Sequence, residues 1–411
     1  MNIKRMRTMI EKIATFSCHP HNITRLAYSP EDIQARDYVL SIAQQNGLTT
    51  RIDAIGNAFI RRDGRDNNLP AVAFGSHLDS VIDAGKFDGV LGCIAGFEIL
   101  LQLQENQIPT HRPLELIIFA CEESSRFRFA TLGSKVMCNV VSHEKLASLS
   151  DEQGISFPDA IQQAGFNLGN IESARCKPQH YHAFLELHIE QGPLLEQEHK
   201  TIGIVTGIAA PIRAIARIYG QADHSGATAM QYRHDALLAG CEIALALEQS
   251  AVNAKHSSVA TVGQMSAKPG VMNVVPGFCE LLIDIRGCHL DARESILTAL
   301  QQKITTIETT RGVRIELEII SKDGPVMLDS ALQDELIRQC ERLNYRYELM
   351  PSGAGHDAMH MTLICPSAMI FIPSIKGISH NPLENSHWHD VLAGANLLKE
   401  TVLSIANTTA L

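Results

Sequence analysis

Imidazole and carboxylate side chains recur in this sequence directly after apolar runs or within glycine-rich loops. The candidates that share this placement are three imidazoles and two carboxylates: His77, Asp88, Glu123, His188 and His380. Imidazole nitrogens and carboxylate oxygens are common ligands of divalent metal ions such as zinc. A single His-x-Asp pattern means little, because chance supplies many. The recurrence of such residues after successive predicted strands is what indicates a metal site.

Four apolar runs are predicted to be the buried strands that position these candidates. The runs are Ala71–Phe74, Leu114–Ala120, Phe184–His188 and Ala368–Ile372. Predicted helices alternate with them, for example the apolar segment from Val90 to Leu103. This alternation predicts an α/β fold with a mixed, mostly parallel sheet flanked by helices. Such sheets place their chemistry at the carboxyl ends of the strands, so the candidates are expected to meet at one edge.

The middle of the chain has a different pattern. Between residues 209 and 324 the predicted elements follow the order strand, helix, strand, strand, helix, strand. This βαββαβ order is typical of a split-βαβ, ferredoxin-like module. We therefore predict a self-contained domain at 209–324, inserted into a metal-binding catalytic domain formed by 1–208 and 325–411. A chain of 411 residues is also too long for one ordinary core.

Composition and charge argue against several classes of protein. The hydrophobic fraction of 45% and the charged fraction of 19% are typical of a globular protein. The formal net charge of −10 argues against nucleic acid or an anionic membrane as a partner. No stretch approaches the roughly 18 apolar residues of a transmembrane helix, and Met1 to Phe16 lacks the apolar core of a signal peptide. The 10 cysteines, without a CxxC pair, indicate reduced thiols. A cytoplasmic enzyme is therefore expected.

One arrangement would use all five metal-ligand candidates. Asp88 would bridge two divalent ions, His77 and His188 would complete one or both coordination shells, and Glu123 and His380 would complete the rest. Two ions about 3.5–4 Å apart hold a shared water and lower its pKa toward neutrality. The sequence therefore predicts a two-ion hydrolytic centre.

Two further acids would act beside the ions. Glu122, adjacent to a ligand but pointing elsewhere, would be the general base. Asp79 would orient His77 by accepting its second ring proton. Taken singly, each candidate also has an ordinary structural explanation. Most of the 18 histidines are expected to be surface or hydrogen-bonded core residues, and the pair Glu122/Glu123 alone would be typical of a solvated loop. The tandem pairs His180/His182 and His387/His389 are interpreted as surface or helix-end residues.

Eight segments, in order along nearly the whole chain, together resemble one family. They are GSHLDS (75–80), FDGVLG (87–92), CEESSRF (121–127), ELHIEQGP (186–193), DHSGAT (223–228), NVVPG (273–277), SGAGHDA (352–358) and ISHNP (378–382). These segments are similar to the N-carbamoyl-L-amino-acid hydrolase and allantoate amidohydrolase group of the dinuclear zinc aminopeptidase/aminoacylase superfamily. The resemblance implies a zinc-exopeptidase-like catalytic domain with an inserted lid and dimerisation domain.

The resemblance also assigns roles, position by position. It implies metal ligands at His77, Asp88 (bridging), Glu123, His188 and His380. It implies Glu122 as the general base. It implies substrate contacts at Gln191, His224, Asn273, Arg286, Gly355 and His356. Two residues depart from the family pattern: Ala229 stands where proline is usual, and Met359 where glutamine is frequent. Both lie near the substrate-contact segments, so they bear on the substrate more than on the reaction.

The implied reaction is hydrolysis of the ureido or carbamoyl C–N bond of an N-carbamoyl-L-amino acid or of allantoate, with release of ammonia and carbon dioxide. Glu122 would deprotonate a water held between the ions, His224 would hold the oxyanion, and Arg286 would grip the substrate carboxylate. The expected cofactors are two divalent ions per subunit, zinc first, with manganese or cobalt as alternatives. The expected partners are a small carboxylate-bearing ureido substrate and a second copy of the chain, bound through the inserted domain. Neither nucleic acid nor a membrane is expected as a partner.

Two other functions stay open at this point. A peptidase or N-acyl amino-acid deacylase of the same superfamily would keep the chemistry and change the bond. The segments 190–193 and 352–358 favour the ureido branch instead. A non-catalytic small-molecule binding protein would keep the fold alone, and the full set of ligands with Glu122 in place argues against it.

Overall fold

The structure, a computed structural model, describes residues 1–254, 258–322 and 324–408. The chain divides into two compact units. The large unit consists of Met1–Thr206, Leu328–Met350 and Gly355–Leu411, and the inserted unit of Gly207–Met327 and Pro351–Ala354. From the sequence we assign the segment Pro351–Ala354 to the catalytic domain, as part of 325–411. In the structure this segment belongs to the inserted unit.

Within the described ranges, nine strands form one mixed sheet. Numbered along the chain, they are β1 (Thr49–Ile52), β2 (Ala58–Arg62), β3 (Ala71–His77), β4 (Leu114–Phe119), β5 (Tyr181–Ile189), β6 (Ile202–Ile208), β13 (Val326–Met327), β14 (Tyr347–Ser352) and β15 (Ser367–Ile372). Their order across the sheet is β1-β2-β4-β3-β5-β15-β6-β13, and β14 pairs with β6. The central strands β4, β3, β5 and β15 run parallel, and antiparallel pairs flank them. The predicted fold class is confirmed.

The large unit also contains helices. They are α1 (Ile3–Ala14), α2 (Pro30–Gln45), α3 (Val90–Glu105), α4 (Leu132–Met137), α5 (His143–Ala147), α6 (Phe157–Gln163), α7 (Leu194–Gln197), α10 (Ser330–Leu343), α11 (Ala358–Met361) and α12 (Trp388–Asn407). Every residue of β3, β4 and β15 is buried, as expected for strands covered on both faces. Among the helices of the described ranges, none is both long enough and apolar enough to cross a membrane.

Close packing of α3 on the sheet fixes the loop that precedes this helix. An added Cβ on Gly92 would lie 2.4 Å from the carbonyl oxygen of Leu187 and 2.9 Å from the Cβ of Ser76. Only glycine therefore allows this approach of the helix to β3 and β5. Asp88 lies just before α3, so the same contact holds it at the carboxyl edge of the parallel strands.

The inserted unit has its own sheet and core. Its main elements are β7 (Ala210–Tyr219), α8 (Ala236–Asn253), β9 (Val259–Lys268), β11 (Phe278–Gly287), α9 (Leu290–Arg311) and β12 (Arg314–Lys322). They follow the predicted βαββαβ order and form an antiparallel sheet with the strand order β12-β7-β11-β9. Two short strands, β8 (Asp223–His224) and β10 (Val274–Val275), pair separately. Alternate side chains of β7 are buried with the apolar faces of α8 and α9, which gives this unit a core of its own.

Candidate active site

Two buried histidines occupy the carboxyl ends of neighbouring parallel strands. His77 ends β3, and His188 is the penultimate residue of β5. The Nδ1 of His77 lies 2.9 Å from the carbonyl oxygen of Asp79, and the Nδ1 of His188 lies 2.9 Å from that of Ile189. Because a carbonyl oxygen can only accept, we assign the proton to Nδ1 and a lone pair to Nε2. The Gly89 N–H donates to His188 Nε2 at 3.2 Å, in agreement with this tautomer. It is the tautomer that a metal ligand requires.

Asp88 lies between these histidines and a second pair of ligand candidates. Its Oδ1 is 3.5 Å from His77 Nε2 and 3.2 Å from His188 Nε2. Its Oδ2 is 3.2 Å from His380 Nε2, which in turn is 3.4 Å from Glu123 Oε1. We call the first set, with Asp88 Oδ1, the inner group and the second set, with Asp88 Oδ2, the outer group. All five candidate metal ligands therefore converge in two groups that share one carboxylate.

The electrostatics of this cluster favour positive charge between its members. Burial works against a charged ring at His77 and His188, yet Asp88 raises the pKa of both above their ordinary range. Asp88 and Glu123 raise the pKa of His380 to about 10. Burial would raise the pKa of Asp88, but the surrounding imidazoles hold it well below its usual range. Buried nitrogen lone pairs and carboxylate oxygens that face one another fit divalent metal ions.

Glu122 lies beside the ligands and is held by Asp79. Glu122 Oε2 is 3.9 Å from His77 Nε2, and burial raises the pKa of Glu122 well above its usual range. The Asp79 carboxylate accepts the backbone N–H groups of Glu122 at 3.1 Å and Glu123 at 3.0 Å. Its Oδ1 is 3.8 Å from His77 Nδ1, too far for a hydrogen bond. Asp79 thus accepts the ring proton, as we predict from the sequence, and it does so through its backbone carbonyl oxygen.

Three polar side chains around Asp88 support this carboxylate. Gln191, a predicted substrate contact, donates from Nε2 to Asp88 Oδ2 at 2.8 Å. Ser379 Oγ is 3.1 Å from the same oxygen. The buried carboxylate of Glu384 accepts the backbone N–H groups of Phe87 at 2.9 Å and Asp88 at 3.2 Å. Sequence reasoning missed Ser379 and Glu384, since their polar segment is typical of an exposed loop. Ser379 lies within the segment 378–382 that resembles the family, and Glu384 has only its closeness in sequence to His380 as a signal.

The loop that contains Gly355 and His356 lies against the inner group. His356 is buried, and its ring centroid is 4.6 Å from that of His188. Ligand atoms of His356, His188 and Glu186 lie within 4.8 Å of one another. Glu186 accepts the Ser76 hydroxyl at 2.8 Å. His356 thus lies beside the inner group of candidate ligands. Glu186, next to it, is a further buried acid that the sequence analysis does not identify.

His224 and Asn273 lie together in the inserted unit. The Nδ1 of His224 accepts the backbone N–H groups of Gly226 at 3.1 Å and Ala227 at 3.2 Å. His224 Nε2 therefore carries the proton in the neutral ring and is a hydrogen-bond donor. The carbonyl oxygen of Asn273 accepts the Ser225 N–H at 3.0 Å, which places the two segments side by side.

Arg286 lies near the end of β11, in the four-stranded sheet of the inserted unit. Its Nε donates to Asp284 at 2.8 Å and its Nη1 donates to the carbonyl oxygen of Gly353 at 3.1 Å. Arg286 pairs with Pro211 at the start of β7, whereas Phe278 at the start of β11 pairs with Tyr219 at the end of β7. The segments of His224 and Asn273 adjoin that second end, through β10. The inserted unit thus divides the three predicted substrate contacts between opposite ends of β11.

Comparison with known proteins places the chain in a family. Residues 73–404 match the family described as peptidase family M20/M25/M40. A hydrolase of Haemophilus influenzae, named only as uncharacterised, is 56% identical over 406 residues, 99% of each chain. An N-carbamoyl-L-amino acid amidohydrolase of Geobacillus stearothermophilus is 38% identical over 384 residues, 93% of each chain. A ureidoglycolate hydrolase of Arabidopsis thaliana is 37% identical over 409 residues, 98% of this chain and 86% of the relative.

Solved structures agree with this placement. An amidase of the hydantoinase/carbamoylase family from Burkholderia multivorans has a TM-score of 0.93 at 33% identity, covering 99% of this chain and 98% of that chain. AtUAH in complex with (S)-hydroxyglycine has a TM-score of 0.80 at 36% identity, covering 98% of both chains. The chain therefore belongs to peptidase family M20/M25/M40 and is a metal-dependent hydrolase of amide-type C–N bonds.

Proposed function

We propose that this enzyme is an amidohydrolase that cleaves the ureido or carbamoyl C–N bond of a small carboxylate-bearing substrate, an N-carbamoyl-L-amino acid or allantoate. The products would be ammonia, carbon dioxide and the remaining amine. The observation that carries the proposal is the position of Asp88, whose two oxygens face two separate ligand groups. The relatives named for carbamoyl and ureido substrates support the same class of bond.

The two ligand groups would hold two divalent ions, with Asp88 shared between them. Zinc suits imidazole and carboxylate ligands, and manganese or cobalt would also be accepted. Bound ions would polarise the scissile carbonyl and lower the pKa of the attacking water. The carbonyl-bound Nδ1 atoms of His77 and His188 fix the ring orientation that such ligands need.

Proton transfer would fall to Glu122. This carboxylate is buried beside the inner group and is not part of it, so it is available to take a proton from the attacking water and return it to the leaving nitrogen. Its raised pKa suits a group that must hold that proton between the two steps. His224 would donate from Nε2 to the developing oxyanion, because its Nδ1 already accepts two backbone N–H groups.

Recognition of the substrate carboxylate would fall to Arg286, whose planar fork suits a bidentate contact. Arg286 is eight residues along β11 from Phe278, which at about 3.3 Å per residue is about 26 Å. His224 and Asn273 adjoin the Phe278 end. A single small substrate cannot touch both ends of one strand. We therefore propose that one of these two sets of contacts comes from a partner subunit.

A homodimer through the inserted unit fits this requirement. Three apolar side chains spaced seven residues apart on α8 are exposed: Leu238 by 41%, Leu245 by 65% and Val252 by 74%. β9, beside α8, is an edge strand of the sheet and so presents unpaired backbone groups. Wild-type protein is expected to have twice the mass of one chain in solution, and the double variant L245E/V252E is expected to be monomeric and inactive. An active monomer would contradict the shared site.

A substrate panel tests the proposed reaction, with ammonia release measured for the ureido substrates and release of free amino acid measured for the others. The panel contains allantoate, several N-carbamoyl-L-amino acids, an N-acetyl amino acid and a dipeptide, each with metal-loaded and chelator-treated enzyme. We expect turnover of at least one ureido substrate, lost on chelation and restored by zinc, manganese or cobalt. Faster cleavage of the N-acetyl amino acid or of the dipeptide would contradict the proposal and identify a deacylase or dipeptidase.

A further inference from the structure

We infer that Glu384 and Ser379 are positioning residues that support the outer metal position more than the inner one. This inference rests on the two-ion centre of the proposed function. It assigns to these residues a selective effect on the affinity of one of the two ions. Four observations lead to it: the unequal construction of the two ligand groups, the contacts of Glu384, the space at Gly85 and the single hydroxyl proton of Ser379.

The inner and outer groups differ in how they are fixed. The side chains of His77 and His188 are 2% and 1% exposed, and backbone carbonyl oxygens hold both rings through Nδ1. The side chain of His380 is 50% exposed, and within the described chain its ring makes no hydrogen bond to a backbone carbonyl. The inner group is therefore orientated by the backbone of two strands. The outer group depends on neighbouring side chains instead.

Glu384 provides much of that side-chain support. It is 4% exposed, and its Oε1 accepts the N–H of Phe87 at 2.9 Å and the N–H of Asp88 at 3.2 Å. Its Oε2 is 3.0 Å from Ser379 Oγ. Glu384 thus holds the main chain of the shared ligand with one oxygen and the residue before His380 with the other. It joins the two loops from which Asp88 and His380 project.

The turn before Asp88 is shaped to admit this carboxylate. An added Cβ on Gly85 would lie 2.3 Å from both the Cβ and the Oε1 of Glu384. Contacts this short cannot exist, so a side chain at position 85 would displace Glu384. This fit gives a second way to disturb the carboxylate without changing Glu384 itself.

Ser379 links Glu384 to one carboxylate oxygen of Asp88, the ligand shared by both groups. Its Oγ lies 3.0 Å from Glu384 Oε2 and 3.1 Å from Asp88 Oδ2. A serine hydroxyl has one proton, so it can donate to only one of these oxygens at a time. A cation bound at Asp88 Oδ2 would repel the hydroxyl proton of Ser379, which would then be donated to Glu384. The hydrogen bond of Ser379 therefore responds to the charge at Asp88 Oδ2, the oxygen of the outer group.

Metal titration of four proteins tests the inference: wild type, Ser379→Ala, Gly85→Ala and Glu384→Ala. Each is stripped with a chelator, checked by circular dichroism, and titrated with manganese alone by equilibrium dialysis with elemental analysis. Loss of a supporting residue around a metal ligand typically lowers metal affinity about 10–100-fold. We expect wild type to bind two ions. The variants should bind the second ion about 10–100-fold more weakly, and Ser379→Ala should bind the first ion with unchanged affinity.

Glu308→Gln provides the matched control. Glu308 also accepts a backbone N–H, that of Ile315 at 2.8 Å, but it belongs to the inserted unit. This control is expected to bind both ions as wild type does. Ser379→Ala removes only a hydroxyl group, so it decides the matter if the other variants do not fold.

The outcomes separate this inference from the function on which it rests. If wild type binds two ions and Ser379→Ala weakens neither ion, or weakens both equally, the positioning role is overturned and the two-ion centre stands. If wild type binds fewer than two ions at saturating manganese, the two-ion centre is wrong, and the inference is overturned with it.

Discussion

The carboxylate of Asp79 accepts the backbone N–H of Glu122 at 3.1 Å, and its second oxygen accepts the N–H of Glu123 at 3.0 Å. Cys121, with φ of +54°, turns the chain at the end of β4 into this position. A left-handed conformation at a non-glycine residue is unfavourable and persists only where the surroundings hold it. The position of the proposed base thus depends on a buried acid that belongs to neither ligand group.

The first prediction concerns this contact. In Asp79→Asn, one carboxylate oxygen becomes an NH2 group that cannot accept a backbone N–H. We expect kcat for the preferred ureido substrate to fall about 10–100-fold, as for other supporting residues around metal sites. Both ions should remain bound, as measured by elemental analysis. Asp83→Asn, at an acid that accepts a side-chain hydrogen bond from Asn22, is the control. Loss of an ion from Asp79→Asn would instead make this residue a support of the ligands.

The second prediction separates two adjacent acids. Glu122→Gln removes the proposed base but no ligand, so we expect kcat to fall about 100- to 10,000-fold with two ions still bound. Glu123→Gln weakens a ligand of the outer group, so the second ion should be lost. Elemental analysis and ammonia release on both variants make the comparison. An active, fully loaded Glu122→Gln enzyme would show that another group moves the proton.

Much of this architecture could be predicted because the relevant signals are local. The apolar runs before His77 and Glu122 are buried strands, and parallel strands bring their carboxyl ends together whatever lies between them in sequence. The alternation of Ile212, Ala214 and Ala216 likewise indicates one buried face of β7. Periodicity alone therefore identifies the elements and the edge of the sheet at which the ligands meet.

The misses concern details that periodicity does not carry. Asp79 has a side-chain carboxylate and a backbone carbonyl oxygen, and either could accept the ring proton of His77. Only the conformation of the turn decides that the carbonyl oxygen does so. Glu384 reads as an exposed loop acid, yet the absence of a side chain at Gly85 lets it become buried.

The third prediction uses the single tryptophan of the chain. Trp388 lies with its ring centroid 5.4 Å from that of Phe87, the neighbour of Asp88. Removal of the ions leaves buried acids and imidazoles without their counter-charge, so we expect a change in tryptophan emission and a lower melting temperature. An ion present at about 1,000 times its Kd stabilises the folded state by about 4 kcal/mol. Differential scanning fluorimetry with and without chelator measures both effects. An unchanged melting temperature after proven metal loss would contradict a metal-stabilised centre.

The fourth prediction concerns stability in acid. Burial, with a contribution from Lys135, lowers the pKa of His360 to about 3, and its Nε2 is 2.9 Å from Thr131 Oγ1. In the unfolded chain a histidine has a pKa of about 6.5. Between these values the unfolded state binds more protons than the folded state, so the free energy of unfolding falls as the pH decreases from about 6.5 toward 3. One such group gives a slope of at most about 1.4 kcal/mol per pH unit.

Replacement of this histidine isolates its share of the slope. Glutamine in His360→Gln does not titrate and can still hydrogen bond to Thr131. We expect the stability difference between wild type and variant to be constant above pH 7.5 and to move in favour of the variant between pH 6.5 and 4.5. Urea unfolding at a series of pH values measures it, with His19→Gln, at an exposed position, as the control. Parallel stability curves for wild type and His360→Gln would mean that the folded protein accepts a proton on His360 as readily as the unfolded chain. Burial of this ring beside Thr131 would then not oppose its charge.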